Sequence, residues 1–300
     1  MGAQTSVEDL RRGAEISDAP DLPEGFVFQS AADNPLAATA AIQDALGDGS
    51  SPEDEDIPFI DEPGDNEVIL PGGLVVDGEV YKKARVRELN GEDEEILARA
   101  MNADNPSRYY HLILERGVTH IGPLETNGKL LNTLLLGDRS TLVLAVRRAT
   151  FGDDLDLDII CSHCALEAKI RIHLDTEIEI RPLNWDVREQ YQSVELRGGV
   201  EARVRLADGA DQEFIYSLVN KTEADLNTEL FLRCVESIDG ENVQGNRKRI
   251  RSLGMADRKT LSDWLIDKQP GPQYDTIKHT CTACGKETPI GLTAADLFPQ

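Results

Sequence analysis

The 300-residue chain lacks several features that would assign it to common functional classes. No apolar run approaches the roughly 18 residues needed to cross a bilayer, and no charged start precedes an apolar stretch. A soluble chain without a standard export signal is therefore expected, with no membrane partner. Cations are scarce: 31 Lys and Arg stand against 55 Asp and Glu, a net charge of -24. Such a surface repels phosphate backbones, so general nucleic-acid binding is disfavoured. Five cysteines in a chain this long do not make a secreted disulfide framework, which points to a reducing cytosol. There is no H-E-x-x-H, G-x-S-x-G or G-x-G-x-x-G. The stretch GPLETNGK at 122–129 only mimics a phosphate loop, because five residues separate its glycines and Leu130 stands where Ser or Thr is required. His111 and His120 have no nucleophile paired with them and read as packed or surface side chains. No active site emerges, and the chain is expected not to be an enzyme.

The charge that is present is uneven. Residues 1–67 carry seventeen Asp and Glu against only Arg11 and Arg12, which is -15 of the -24. This Ala-, Asp-, Pro- and Gly-rich tract cannot bury enough apolar surface to offset the entropy of ordering, so 1–66 reads as a largely disordered acidic tail. A short helix near 36–46 is conceivable within it. The opening MGAQTS fits the myristoylation pattern, although no polybasic stretch accompanies it.

Ordered structure is expected from about residue 67, in two parts. In 67–157, β-branched runs around Pro71-Gly72-Gly73 and Asp77-Gly78 predict one or two hairpin strands, with Val80, Lys82, Ala84 and Val86 alternating. NGEDEEILARAMNADNP predicts a helix with an acidic first turn, and PSRYYHLILERGV a second that starts at Pro106 and ends at Gly117. Two more follow, the last opening at Asp138 as N-cap and burying Leu142, Val143, Leu144 and Val146. In 158–300, TEIEIRPL and SVELRGGVEARVRLADG predict three strands, the latter two joined through Gly198-Gly199. GADQEFIYSLVN predicts a short helix. A longer one capped by Thr222 presents Leu226, Leu230, Phe231, Cys234, Val235 and Ile238, with Cys234 as a small core residue. A last helix presents Leu261, Trp264 and Leu265 and stops at Pro270; Trp264 reads as core, with an exposed partner contact as the alternative. The basic run GNRKRIRS at 245–252 reads as a solvated loop that could dock an acidic segment, the chain's own tail included. The fold class is α+β: a helical unit preceded by a β-hairpin, then antiparallel strands and helices tied by a zinc ribbon.

That ribbon rests on the strongest signal in the chain. Two C-x2-C hooks, Cys161/Cys164 and Cys281/Cys284, each sit between alternating strands. A two-residue spacer turns both sulfurs of a hook toward one ion, and two hooks supply four thiolates for a closed tetrahedral Zn2+ site. His163 or His279 could replace one thiolate in a mixed set. The long separation then reads as an inserted subdomain, 165–280, whose entry and exit the metal holds together, since loop-closure entropy grows only logarithmically with length. A full thiolate set leaves no coordination position for water, so the metal is expected to be structural.

The order LPGGL, LNGEDEEIL, LLLGDRSTLVLAVRRATFGDDLDLDIICSHC, VRLADGADQEF, LFLRCVESIDG, MADRKTLSDWL and CTACGKETPIGLTAADLF resembles the T4-type baseplate hub assembly protein family of contractile-tailed phages and related injection systems. The resemblance covers about 67–300, and the acidic tract departs from it. It implies a non-catalytic role in baseplate hub assembly, as a chaperone or minor structural part, with tail and hub proteins as partners. The setting would be the host bacterial cytoplasm and the virion tail. The competing reading is a zinc-ribbon regulator of transcription machinery or nucleic acid, against which the charge argues.

Overall fold

Asp77 and Gly78, both with positive φ, turn the chain between β1 (Asn66–Val76) and β2 (Glu79–Val86). In this computed structural model, which describes residues 66–101, 106–292 and 296–298, the two strands form one antiparallel hairpin. The register slips between Ile69 and Leu74, where Pro71-Gly72-Gly73 interrupts the ladder; Pro71 has no amide to donate. The proposed short helix, the acylation pattern and the acidic tail up to residue 65 lie outside the described residues.

Two helices follow as expected, α1 (Gly91–Met101) and α2 (Pro106–Gly117). The chain then re-enters the sheet through β3 (Val118–Ile121) and β4 (Leu124–Glu125), giving the order β1-β2-β3-β4. These two strands were not foreseen, because β3 begins directly after Gly117 and is only four residues long. Next come α3 (Gly128–Asn132) and the 16-residue α4 (Leu136–Phe151). The phosphate-loop mimic is the β3–β4 turn and the start of α3. A hairpin of β5 (Asp154–Ile160) and β6 (Glu167–His173) leads through a single turn, α5 (Leu174–Glu177), to β7 (Glu179–Arg181).

Beyond β7 the chain builds a second sheet, β11-β10-β9-β8, from β8 (Tyr191–Glu195), β9 (Glu201–Arg205), β10 (Val235–Ile238) and β11 (Glu241–Asn242). Interleaved with it are α6 (Gly209–Ser217) and α7 (Glu223–Cys234), then α8 (Arg247–Arg251) and α9 (Met255–Asp267). The short strands β12 (Gly271–Gln273), β13 (Lys278–Thr280) and β14 (Glu287–Pro289) close the described chain. The three strands expected here form, β8 and β9 as a hairpin and β7 paired with β12. Two sequence readings change. Val235 and Ile238 lie in β10, because α7 stops at Cys234 and β-branched Val235 pairs with Val204. The basic run forms α8 and not a loop; Asn246 caps it and Ile250 anchors it in the core.

Two hydrophobic clusters result. The first joins the β1–β4 sheet, α2 and α4 to Leu155 and Ile172 of the β5–β6 hairpin and to Ile277, Ile290, Leu297 and Phe298 near the end of the chain. The second lies within the insert, around Val204, Phe231, Cys234, Ile238, Ile250 and Leu261. Trp264 is half-buried on this cluster and stacks on Trp185 with ring centroids 6.1 Å apart.

The start of α4 is where the two clusters meet. Asp138 is not the N-cap; Leu135 is, and Asp138 sits three residues into the turn, fully buried. Its carboxylate accepts the Gly72 amide at 2.8 Å and the Gly73 amide at 3.0 Å, replacing the ladder bonds lost at the β1 slip. Gly137 abuts the next segment so closely that a Cβ would lie 1.6 Å from the Pro270 carbonyl oxygen. Arg139, also buried, donates to the Leu131 carbonyl (3.0 Å) and to Asn132 Oδ1 (2.9 Å). Leu136 packs on the second cluster.

Two other helices start on a buried third-position Asp. Asp93 in α1 takes Arg87, Arg116 and the Asn90 amide; Asp211 in α6 takes a bidentate Arg205, Arg233 and the Asp208 amide. Burial pushes both carboxyls up, but the arginines and amides outweigh it and hold them below the usual range. At Asp138, which has no arginine partner, burial outweighs the Gly72 and Gly73 amides and raises the carboxyl to about 6.

Gly137→Ala forces α4 away from Pro270 and is expected to cost about 3 kcal/mol, lowering Tm by about 10 °C in a unit of this size; differential scanning calorimetry checks this. The pH signs differ among the three acids. The folded state holds the Asp138 proton longer than the unfolded chain, so this group's contribution is full below about pH 4 and lost as pH rises to about 6. The stability of the native chain relative to Asp138→Asn should therefore fall by about 2–3 kcal/mol between those limits, read from urea melts at each pH. Asp93 and Asp211 act oppositely, and their contribution is lost as pH falls below 3.8.

Candidate metal centre

Local pairing builds each hook, and tertiary contact brings the two together. β5 and β6 run seven rungs, from Asp154↔His173 to Ile160↔Glu167. Their solvent face carries cross-strand pairs, Asp154 with His173 and Asp156 with Arg171, each at 2.7 Å, and the opposite face buries Leu155 and Ile172. At the tip, the Cys161 amide donates to the Leu166 carbonyl (2.9 Å) and the Ala165 amide to the Cys161 carbonyl (2.9 Å). The second hook repeats this: Cys281 to Lys286 (2.9 Å) and Gly285 to Cys281 (2.8 Å). The residue after each second cysteine is left-handed, Ala165 at φ 57° and Gly285 at φ 68°. That twist aims both sulfurs of a hook to one side, and glycine adopts it without strain.

The four sulfurs converge. Cys161 Sγ lies 3.8 Å from Cys284 Sγ, Cys164 Sγ lies 3.6 Å from Cys281 Sγ, and all four fall within 4.8 Å of one another. Four thiolates about 2.3 Å from a central ion in a tetrahedron stand about 3.8 Å apart, so the donor set fits one ion of that kind. Among the described residues no other group of three or more Cys, His, Asp and Glu meets at ligand distance.

Neither histidine enters the cluster. His163 turns its ring to the Glu287 carbonyl, 3.1 Å away, and so bridges the hooks from outside; His279 pairs with Thr288 in the β13–β14 ladder. The sequence did not single out Thr288, whose hydroxyl donates to Cys161 Sγ at 3.4 Å. No local pattern marks this threonine, because its role depends on the two hairpins crossing. The His163 amide also donates to Cys161 Sγ at 3.4 Å.

These donors set the electrostatics. The Thr288 hydroxyl and the His163 and Cys164 amides bring the Cys161 thiol down to about 5. Amides of Cys284 and Ala283 lower Cys281. Cys164 accepts the Leu166 amide, yet its neighbours Cys161 and Cys281 push it up to about 12. Sulfurs this close cannot all be thiolates without a cation among them, and a divalent ion would remove that conflict with release of protons. The set would be closed, with no position for water.

The other sequence candidates lie elsewhere. Cys234 is buried in the second cluster, its thiol 3.7 Å from Asp211 Oδ2. His111 is packed between Glu115 (3.1 Å) and Glu213 (2.8 Å), without a nucleophile.

A family model described as T4 bacteriophage base plate protein matches residues 75–297, a span that holds both hooks and the start of α4. No protein of curated function and no solved structure matches the chain.

Titration of metal-free protein with Co2+ is expected to give thiolate charge-transfer and tetrahedral d–d absorption. Cys161→Ser and Cys284→Ser should weaken binding at least tenfold. Cys234→Ser should leave the spectrum unchanged; a loss there instead would place the ion elsewhere.

Proposed function

The chain belongs to the T4 bacteriophage base plate protein family, and on that premise we propose that it is a non-enzymatic, zinc-stabilised protein of contractile tail assembly. It acts at the baseplate hub through contacts with other tail proteins, as a minor structural component or as an assembly chaperone. The observation that carries this reading is the family match across both hooks, joined to the convergence of their four sulfurs. Cys161, Cys164, Cys281 and Cys284 are the ligands. Zinc is favoured because an all-sulfur tetrahedral donor set is soft and suits a d10 ion with no geometric demand of its own. The metal braces the fold: it ties the entry of the 165–280 insert to its exit, where β13 and β14 share only three rungs and need further support. A closed thiolate shell performs no hydrolysis, and the buried acids Asp93, Asp138 and Asp211 are committed to helix starts. The work is done in the host cytoplasm, on parts destined for the virion tail.

Protein purified without a metal-binding tag is expected to carry one zinc per chain by elemental analysis. Chelation should lower Tm by about 10 °C, since saturating metal at a thousandfold excess over Kd stabilises by about 4 kcal/mol. A metal content well below stoichiometric would overturn the zinc reading. Quantitative mass spectrometry of purified tails then separates the two roles: a fixed copy number marks a structural part, and abundance in lysate without retention in tails marks a chaperone.

A further inference from the structure

The described surface carries one concentrated basic element on an acidic body. Residues 68–300 hold 38 Asp and Glu against 29 Lys and Arg, yet four of the five residues of α8 are cationic. The fifth, Ile250, is fully buried, so the helix is pinned by one apolar side chain and turns its charges outward. Two of these are engaged. Arg247 meets the nearly buried Glu229 at 2.7 Å, which fixes its position, and Arg249 faces Glu241 at 3.9 Å. Lys248 and Arg251 form no ion pair among the described residues. They line, with Arg247 and Ser252, an open hollow of about 590 Å³.

We propose that this face of α8 is a docking site for an acidic segment of another tail protein, with Lys248 and Arg251 receiving its carboxylates beside the pre-positioned Arg247. Charge complementarity selects an acidic occupant, and the tail-assembly reading makes it a segment of a partner. The hollow accommodates a few side-chain carboxylates, whereas a duplex would bring a continuous polyanion against a molecule of net charge -24. Pairing at such a rim governs partner choice and association rate more than raw affinity. Arg247 is held by Glu229, while Lys248 and Arg251 stand outside ion-pair distance of any described carboxylate, so the face can receive acids without first breaking a bridge.

This inference rests on the tail-assembly reading, and the experiment separates the two. Tails are isolated from cells producing the full chain, a Lys248→Glu/Arg251→Glu variant, or a Lys259→Glu control that reverses a lysine paired with Asp263 on α9. The chain bound to tails and tail intermediates is quantified. In parallel, binding of a fluorescein-labelled glutamate-rich peptide and of a DNA duplex of equal charge is measured by anisotropy at low and high salt. The expected result is co-isolation of native and control chains, at least tenfold loss for the double variant, and a salt-sensitive preference for the peptide that the same variant abolishes. Co-isolation of the double variant at the native level, absence of peptide binding, or preference for DNA overturns the docking site and leaves the assembly role standing. Absence of the native chain from every tail species overturns the assembly role itself.

Discussion

The first turn of α4 is the constraint on which the rest of the structure depends. A helix start leaves amides without partners, and a strand interrupted by Pro71-Gly72-Gly73 leaves others. Asp138 resolves the second deficit by reaching out of the helix to Gly72 and Gly73. On one side of it Gly137 lets the 270–271 segment approach to contact distance, and on the other Arg139 fills the space under Gly209 at the mouth of α6. Three consecutive residues, Gly137, Asp138 and Arg139, thus fix β1, α6 and the exit of the insert against one another. The tolerance is small because three backbones meet there with glycines at the contacts.

With that junction set, the separation between the cysteine hooks ceases to be a puzzle. The insert carries its own core and returns beside its point of departure, so packed backbone brings the hooks into register. The four sulfurs meet where the fold has already brought the hooks near. Thr288 and His163 add cross-hairpin hydrogen bonds, so the two hooks are joined by protein groups as well as by sulfur chemistry.

The acidic character of the chain is handled differently inside and outside. The fully buried carboxylates Asp93, Asp138 and Asp211 each sit at a helix start, and Glu229 within α7 meets Arg247, so charge is removed from water only where amides or guanidinium groups replace it. At the surface the excess is left in solvent, and the basic face of α8 interrupts it. A uniform negative field discourages non-specific association; one interruption gives an acidic partner a defined place to approach.

The sequence by itself determined the local elements and the donor set. Turn chemistry at Asp77-Gly78 and Gly198-Gly199, the Thr222 cap and the C-x2-C spacing are short-range rules, and each was readable because its physics is completed within a few residues. The family resemblance reached further, because the motif order spans the whole body and the family model matches it. Only the tertiary structure decided what depends on distant partners. Asp138 looked like a cap and proved to be a cross-chain acceptor; Val235 and Ile238 had helical spacing but found a strand to pair with; Thr288 had no signal until a second hairpin crossed it. Asp138 and Val235 each satisfied two local patterns equally well. The choice was made by which buried backbone group, far away in sequence, still needed a partner.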